Sequence, residues 1–127
     1  MLDTAVSVLV VDDSATICKV VGRILNQIGF ADVESTADAQ AALQRLREKK
    51  FGLVVADWYM DGMHGIEMVR LMQGNYQLKA IPVILMSAQA NAENVVAARE
   101  AGAYGYLVKP FSADALKTKL DAIRLAV

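Results

Sequence analysis

Five short apolar, β-rich runs alternate with segments of helical periodicity along the chain, and this alternation limits the possible folds more than any other feature. The first run, Val6 to Val11, is broken only by Ser7, as in a strand covered on both faces. Asp12-Asp13-Ser14 then offers helix-capping side chains. Ile17, Val20, Val21, Ile24, Leu25 and Ile28 follow at helical spacing, and Gly29 gives a stop. A short strand near Asp32 to Ser35 leads to a second helix, with Ala42, Leu43 and Leu46 inward and Arg45, Arg47, Glu48, Lys49 and Lys50 largely outward. Phe51 to Ala56 reads as the third strand, followed by a glycine-containing loop from Asp57 to Gly65 and a short helix over Ile66 to Met72. Ile81 to Met86 is a fourth buried strand, with Pro82 near its start, where a missing N–H is tolerated. Asn91 to Ala101 is helical and ends at Gly102, and Gly105 to Val108 is the last strand. Ser112 caps a final helix holding Leu116, Leu120, Ile123 and Val127 at core spacing.

Parallel strands need crossover connections, so five βα units in succession predict an α/β fold: a doubly wound, parallel, five-stranded sheet with helices on both faces. Right-handed crossovers and one reversal of winding give the strand order 2-1-3-4-5. A length of 127 residues suits a single domain over 1–127, and 55% hydrophobic residues suffice for a core without staples. Thirteen Lys and Arg nearly cancel fourteen Asp and Glu, leaving no basic footprint for nucleic acid and no polybasic anchor for a membrane. No apolar run approaches the ~18 residues of a membrane span, and Met1-Leu2-Asp3-Thr4 lacks a signal-peptide pattern. The single Cys18 cannot form an internal disulfide, so the expectation is a soluble cytoplasmic domain, monomeric by default.

The polar residues are placed informatively. Asp12 and Asp13 end the first strand, Asp57 the third, Ser87 the fourth and Lys109 the fifth. In a doubly wound sheet these ends share the edge where ligands bind, so three carboxylates, a hydroxyl and an ammonium converge. Carboxylates held together repel and must hold a proton or a cation. Oxygen ligands without His or Cys favour a hard ion, Mg²⁺ or Mn²⁺, over zinc. A cation, a hydroxyl donor and a lysine around one carboxylate are the parts needed to move a phosphoryl group onto it. Singly, each residue has a plainer reading: Asp12-Asp13, Asp57 and Ser87 can cap helices or shape turns, and Lys109-Pro110 can stop a strand. The combination at one edge is what carries the functional reading.

These residues, in Val10-Val11-Asp12-Asp13-Ser14, Val55-Ala56-Asp57-Trp58-Tyr59-Met60 with Met63 and Gly65, Ile81 to Ala88, Ala101-Gly102-Ala103, Gly105-Tyr106 and Val108-Lys109-Pro110-Phe111, make a chain that resembles the receiver domains of two-component response regulators. The likeness is strongest to single-domain regulators of the CheY type, used in chemotaxis, which have a flavodoxin-like fold. It implies that a histidine kinase or histidine phosphotransfer protein donates phosphate to Asp57. It also implies that Asp13, Asp57 and the Tyr59 carbonyl bind Mg²⁺ directly, with Asp12 acting mainly through water. Lys109 would pair with the phosphate and Ser87 would shift to hydrogen-bond it. Tyr106 would turn inward in concert, altering a protein-binding face formed by the fourth helix, fifth strand and fifth helix. A cis Lys109-Pro110 bond is expected by the same likeness.

Tyr59 departs from the small polar residue frequent in relatives, Asp61 from a common proline, and His64 from a frequent acidic or amide residue. Tyr59 and Gln89 would flank the phosphate and control access of hydrolytic water. His64 reads as a loop histidine without a catalytic role, Trp58 as a packing residue beside the site, and Cys18 as ordinary packing. Ala15, Ile17 and Cys18 offer a kinase-docking surface, with core packing the ordinary reading of Ile17.

Other functions fit less well. A phosphate sink, or a receiver taken from a hybrid kinase or longer regulator, would use the same pocket, although Met1 and a full last helix suggest a stand-alone chain with no room for a DNA-binding domain. A pseudo-receiver would lack an acidic residue or the lysine. An aspartate-nucleophile phosphatase would carry Asp-x-Asp after its first strand. A flavodoxin-like redox protein would need a phosphate-cradling loop where two aspartates stand, and they would repel FMN phosphate.

Overall fold

A computed structural model describes residues 3–123, and Val127, expected on the last helix, lies outside the described residues. Five parallel strands, β1 (Val8–Val11), β2 (Val33–Thr36), β3 (Leu53–Asp57), β4 (Val83–Ser87) and β5 (Gly105–Val108), form one sheet in the order β2-β1-β3-β4-β5. Five helices connect and flank them: α1 (Ala15–Ile28), α2 (Ala39–Glu48), α3 (Gly65–Gln73), α4 (Ala92–Ala101) and α5 (Ala113–Ala122). The doubly wound fold and the strand order expected from the sequence are both present.

Side chains alternate across a strand, which divides the core in two. Val8, Val10, Leu53, Val55, Ile84, Met86 and Leu107 pack with α1 and α5. Leu9, Val11, Val54, Ala56, Val83, Leu85 and Tyr106 pack with α2, α3 and α4. Burial on both faces explains why the strands read as continuous apolar runs.

The strands start later than the apolar runs do. Val6 and Phe51 are apolar and join the two cores, but the chain there is held by single hydrogen bonds such as Gly52 N–H to the Ser7 carbonyl at 2.9 Å. At their other ends β3 and β4 run on to include Asp57 and Ser87. Helix starts follow the capping residues: Ser14, Asp38, Asn91 and Ser112 each accept a backbone N–H of the first turn of their helix. Thus Ser14, rather than an aspartate, caps α1.

Two expectations for the helix faces need correction. Val20 is 45% exposed, because six apolar positions on α1 span a wider arc than the sheet can cover. Arg45 and Lys49 turn back to the edge strand: Arg45 makes a two-pronged pair with Glu34 at 2.8 and 3.2 Å, and Lys49 pairs with Asp32 at 2.7 Å. These ion pairs place charge at the edge strand β2, and charged residues on an edge strand discourage pairing with another chain.

Candidate functional site

Register brings the site together. Val11 lies opposite Ala56 and Asp57 opposite Met86, so the residues that follow leave the sheet side by side. Three hydrogen bonds prolong the ladder past the strand ends: Asp12 N–H to Thr36, Trp58 N–H to Met86 and Lys109 N–H to Ser87, at 3.1, 2.8 and 2.7 Å. Strand parity then sorts the side chains. Asp12, Asp57 and Lys109 continue the rows that end in Val10, Val55 and Leu107, whereas Trp58, Ser87 and Tyr106 belong to the opposite face.

The first set forms a charged cluster. One oxygen each of Asp12, Asp13 and Asp57 lies within 4.8 Å of the others. Asp12 and Asp57 are buried and Asp13 is exposed. Lys109 Nζ stands between the buried pair, 3.0 Å from Asp12 Oδ2 and 3.1 Å from Asp57 Oδ1. Asp12 Oδ1 also accepts the Ser14 N–H at 2.9 Å, and the Cys18 thiol donates to the Asp12 carbonyl at 3.4 Å. Burial pushes the Cys18 thiol up, and the nearby Asp12 charge adds to the rise, so this cysteine is a packing thiol rather than a reactive thiolate. Its contact with the Asp12 backbone was not evident from the sequence.

Burial raises the Asp57 carboxyl above its ordinary value. Lys109 pulls it down, but Asp12 and Asp13 push it up further. Burial would lower Lys109, yet its bonds to Asp12 and Asp57 outweigh that and raise it. Three carboxylates facing one ammonium leave negative charge uncompensated, and all donors are oxygens. This donor set fits a hard divalent cation such as Mg²⁺, held by Asp12, Asp13 and Asp57. Asp38, Asp61 and Glu67 line a cleft beside Asp13 and extend the negative field toward solvent. A larger cavity of about 870 Å³, lined by Leu46, Phe51, Leu78 and Pro82, involves none of these site residues.

Ser87 and Tyr106 do not join the charged cluster. Ser87 Oγ is fully buried and accepts the Gln89 N–H at 3.1 Å. Tyr106 is buried, with its hydroxyl donating to the Gln89 carbonyl and its ring edge-on to Trp58 at 5.9 Å. Tyr106 thus lies inward in this structure. The Trp58 and Tyr59 rings stand with centroids 6.1 Å apart, and Tyr59 is 45% exposed. Lys109-Pro110 is cis. Gly65 opens α3 where a Cβ would come 2.3 Å from the Asp57 carbonyl oxygen, so the glycine permits the loop to return onto β3.

Residues 8–121 match the family described as response regulator receiver domain. The chain belongs to this family. It is 38% identical over 123 residues to chemotaxis protein CheY-3 of Vibrio cholerae, covering 97% of this chain and 95% of that one. Chemotaxis protein CheY of Pseudomonas aeruginosa is 36% identical over 116 residues, 91% of this chain and 94% of that protein. Among solved structures, Vibrio cholerae chemotaxis protein CheY4 superposes with a TM-score of 0.86 at 31% identity, covering 94% of this chain and 98% of that one. The signal receiver domain of a signal transduction histidine kinase from Syntrophus aciditrophicus gives 0.82 at 28% identity, covering 97% and 96%. The protein is thus a CheY-like receiver domain of two-component signalling, with an acidic pocket suited to phosphorylation and Mg²⁺ binding. No helix among the described residues is long and apolar enough to cross a membrane.

Proposed function

We propose that Asp57 is the phosphoacceptor of this receiver, taking a phosphoryl group from a histidine kinase or histidine phosphotransfer protein. An Asp57 carboxylate oxygen forms the new bond to phosphorus as the bond from phosphorus to the donor nitrogen breaks, and the donor histidine, already protonated on its other ring nitrogen, leaves as neutral imidazole. The observation that carries this reading is the place of Asp57: buried at the end of β3, with Lys109 Nζ at 3.1 Å and two further carboxylates within reach of a shared cation. Mg²⁺ would be held by Asp13, Asp57 and the Tyr59 carbonyl, with Asp12 acting mainly through water, and would neutralise charge on the transferring oxygens. Lys109 holds the acceptor carboxylate and pairs with the arriving phosphoryl oxygens.

Output runs through Ser87 and Tyr106 to a protein target on the α4, β5 and α5 face. Val95, Val96, Tyr104 and Val108 are exposed there, consistent with an apolar contact surface. By likeness to the chemotaxis proteins, that target belongs to a chemotaxis system. The acyl phosphate is then lost by slow self-catalysed hydrolysis, with no other enzymatic activity. Trp58 fluorescence during Mg²⁺ titration, followed by acetyl phosphate, tests the proposal on wild type and Asp57→Asn. The expected result is a metal-dependent signal with phosphate incorporated only in wild type. Absence of both responses in wild type would reject it.

Tyr59 and Gln89 flank the acceptor and limit the approach of water. Tyr59→Asn is expected to change the phosphate lifetime severalfold in a single-turnover decay assay, and an unchanged lifetime removes Tyr59 from that role.

A further inference from the structure

His64 has no part in the chemistry above, yet it is bound closely into the loop between β3 and α3. Its Nδ1 accepts the Met60 N–H at 3.4 Å, and its ring stands edge-on to Tyr59 with centroids 5.5 Å apart. Its own N–H donates to Glu67 Oε1 at 3.1 Å, while its carbonyl accepts the N–H groups of Glu67 and Met68 at 3.0 and 3.2 Å. The imidazole is therefore anchored to the start of α3 and reaches back four residues along the loop. An accepting Nδ1 carries no proton, so the neutral ring is protonated at Nε2.

The Met60 N–H and the Tyr59 carbonyl belong to the same planar peptide unit. Fixing the direction of one fixes the other, because only rotation of the whole plane can turn the carbonyl. The ring contact with Tyr59 restrains the same residue from its side-chain end. We propose that His64 is a positioning residue: by holding the Met60 N–H, its Nδ1 restrains the peptide plane whose Tyr59 carbonyl would serve as a ligand of a metal held at Asp12, Asp13 and Asp57. This inference rests on the reading that the acidic cluster binds a divalent cation with the Tyr59 carbonyl as one ligand.

The test separates the hydrogen bond from the ring contact. His64→Phe keeps an aromatic edge for Tyr59 but has no acceptor. His64→Asn removes the ring but places Oδ1 close to where Nδ1 stood. Mn²⁺ is the probe, its free concentration followed by electron paramagnetic resonance, with urea unfolding of each variant measured alongside. His64→Phe is expected to bind Mn²⁺ roughly two- to tenfold more weakly, the range spanned by one net hydrogen bond, and His64→Asn to recover most of that loss. A merely structural role would lower the urea midpoint and leave the affinity of the folded protein unchanged. Wild-type affinity in His64→Phe, or an equal loss in His64→Asn, would overturn the positioning role while leaving the metal site intact. Failure of the wild type itself to bind Mn²⁺ would overturn both this inference and the reading beneath it.

Discussion

Lys109→Ala is expected to reduce phosphoryl incorporation from acetyl phosphate about 100-fold or more, on the scale of losing a charged group that stabilises the transferring oxygens. It is also expected to destabilise the metal-free protein by about 3 kcal/mol at neutral pH, as when one partner of a buried ion pair is removed. Among the described residues Lys109 is the one ammonium bonded to both Asp12 and Asp57, and its loss leaves two buried carboxylates facing each other. The sign of the pH dependence follows from the two groups. Lys109 titrates above its ordinary 10.5 in the fold, so its contribution is fully present below 10.5 and fades only as pH rises through the higher folded value. Asp57 titrates above 3.8, so its ionised form costs stability, a cost that develops as pH rises from 3.8 through the folded value. Without Lys109 this cost grows. The stability deficit of Lys109→Ala is therefore largest near neutrality, shrinks as pH falls toward about 4, and is partly recovered by Mg²⁺. Urea unfolding at the two pH values, with and without Mg²⁺, checks this. A deficit independent of pH would contradict the electrostatic account.

Gly65→Ala is expected to have an effect of similar size for a purely steric reason. The added Cβ would lie 2.3 Å from the Asp57 carbonyl oxygen and 3.0 Å from Leu85 Cδ2. Backbone cannot yield as a side-chain tip can, so either α3 withdraws or the end of β3 moves. The expected cost is about 3 kcal/mol or more, with acceptor activity falling together with stability. Gly62→Ala is the contrast: Gly62 has φ of 82° but open space around its Cβ, so its penalty is conformational strain alone, about 1 kcal/mol. Thermal unfolding of both variants and a phosphorylation assay check the pair. Equal, small losses at the two positions would contradict the close approach of α3 to Asp57.

Much of this architecture was legible in the sequence because the inner strands are buried on both faces and four of the five helices carry a capping side chain. Val6 to Val11 and Ile81 to Met86 announced buried strands, and Asp38 and Asn91 mark helix starts in the structure through a side-chain bond three residues on. The site was legible for a topological reason: parallel strands deliver their ends to one edge, so Asp12, Asp57 and Lys109 had to converge once the order was known. The sequence could not reveal how Lys109 divides itself, since 3.0 Å to Asp12 and 3.1 Å to Asp57 depend on the register of the three strand pairs between β5 and β1. Nor could it reveal the part of His64, whose partner is a backbone N–H and therefore has no identity to read. The close approach at Gly65 is hidden likewise, because it depends on where a carbonyl oxygen points. Strand boundaries were displaced because apolar residues such as half-buried Val6 and buried Phe51 pack against the core just before regular pairing begins.

The central claim is that Asp57, and no other residue, receives the phosphoryl group. Incubation with Mg²⁺ and acetyl phosphate, reduction of the acyl phosphate with borohydride and peptide mass mapping test it directly. The account predicts conversion at Asp57 alone, dependent on Mg²⁺ and missing in Asp57→Asn. Conversion at Asp12 or Asp13 in the wild type, or undiminished phosphate incorporation in Asp57→Asn, would contradict it.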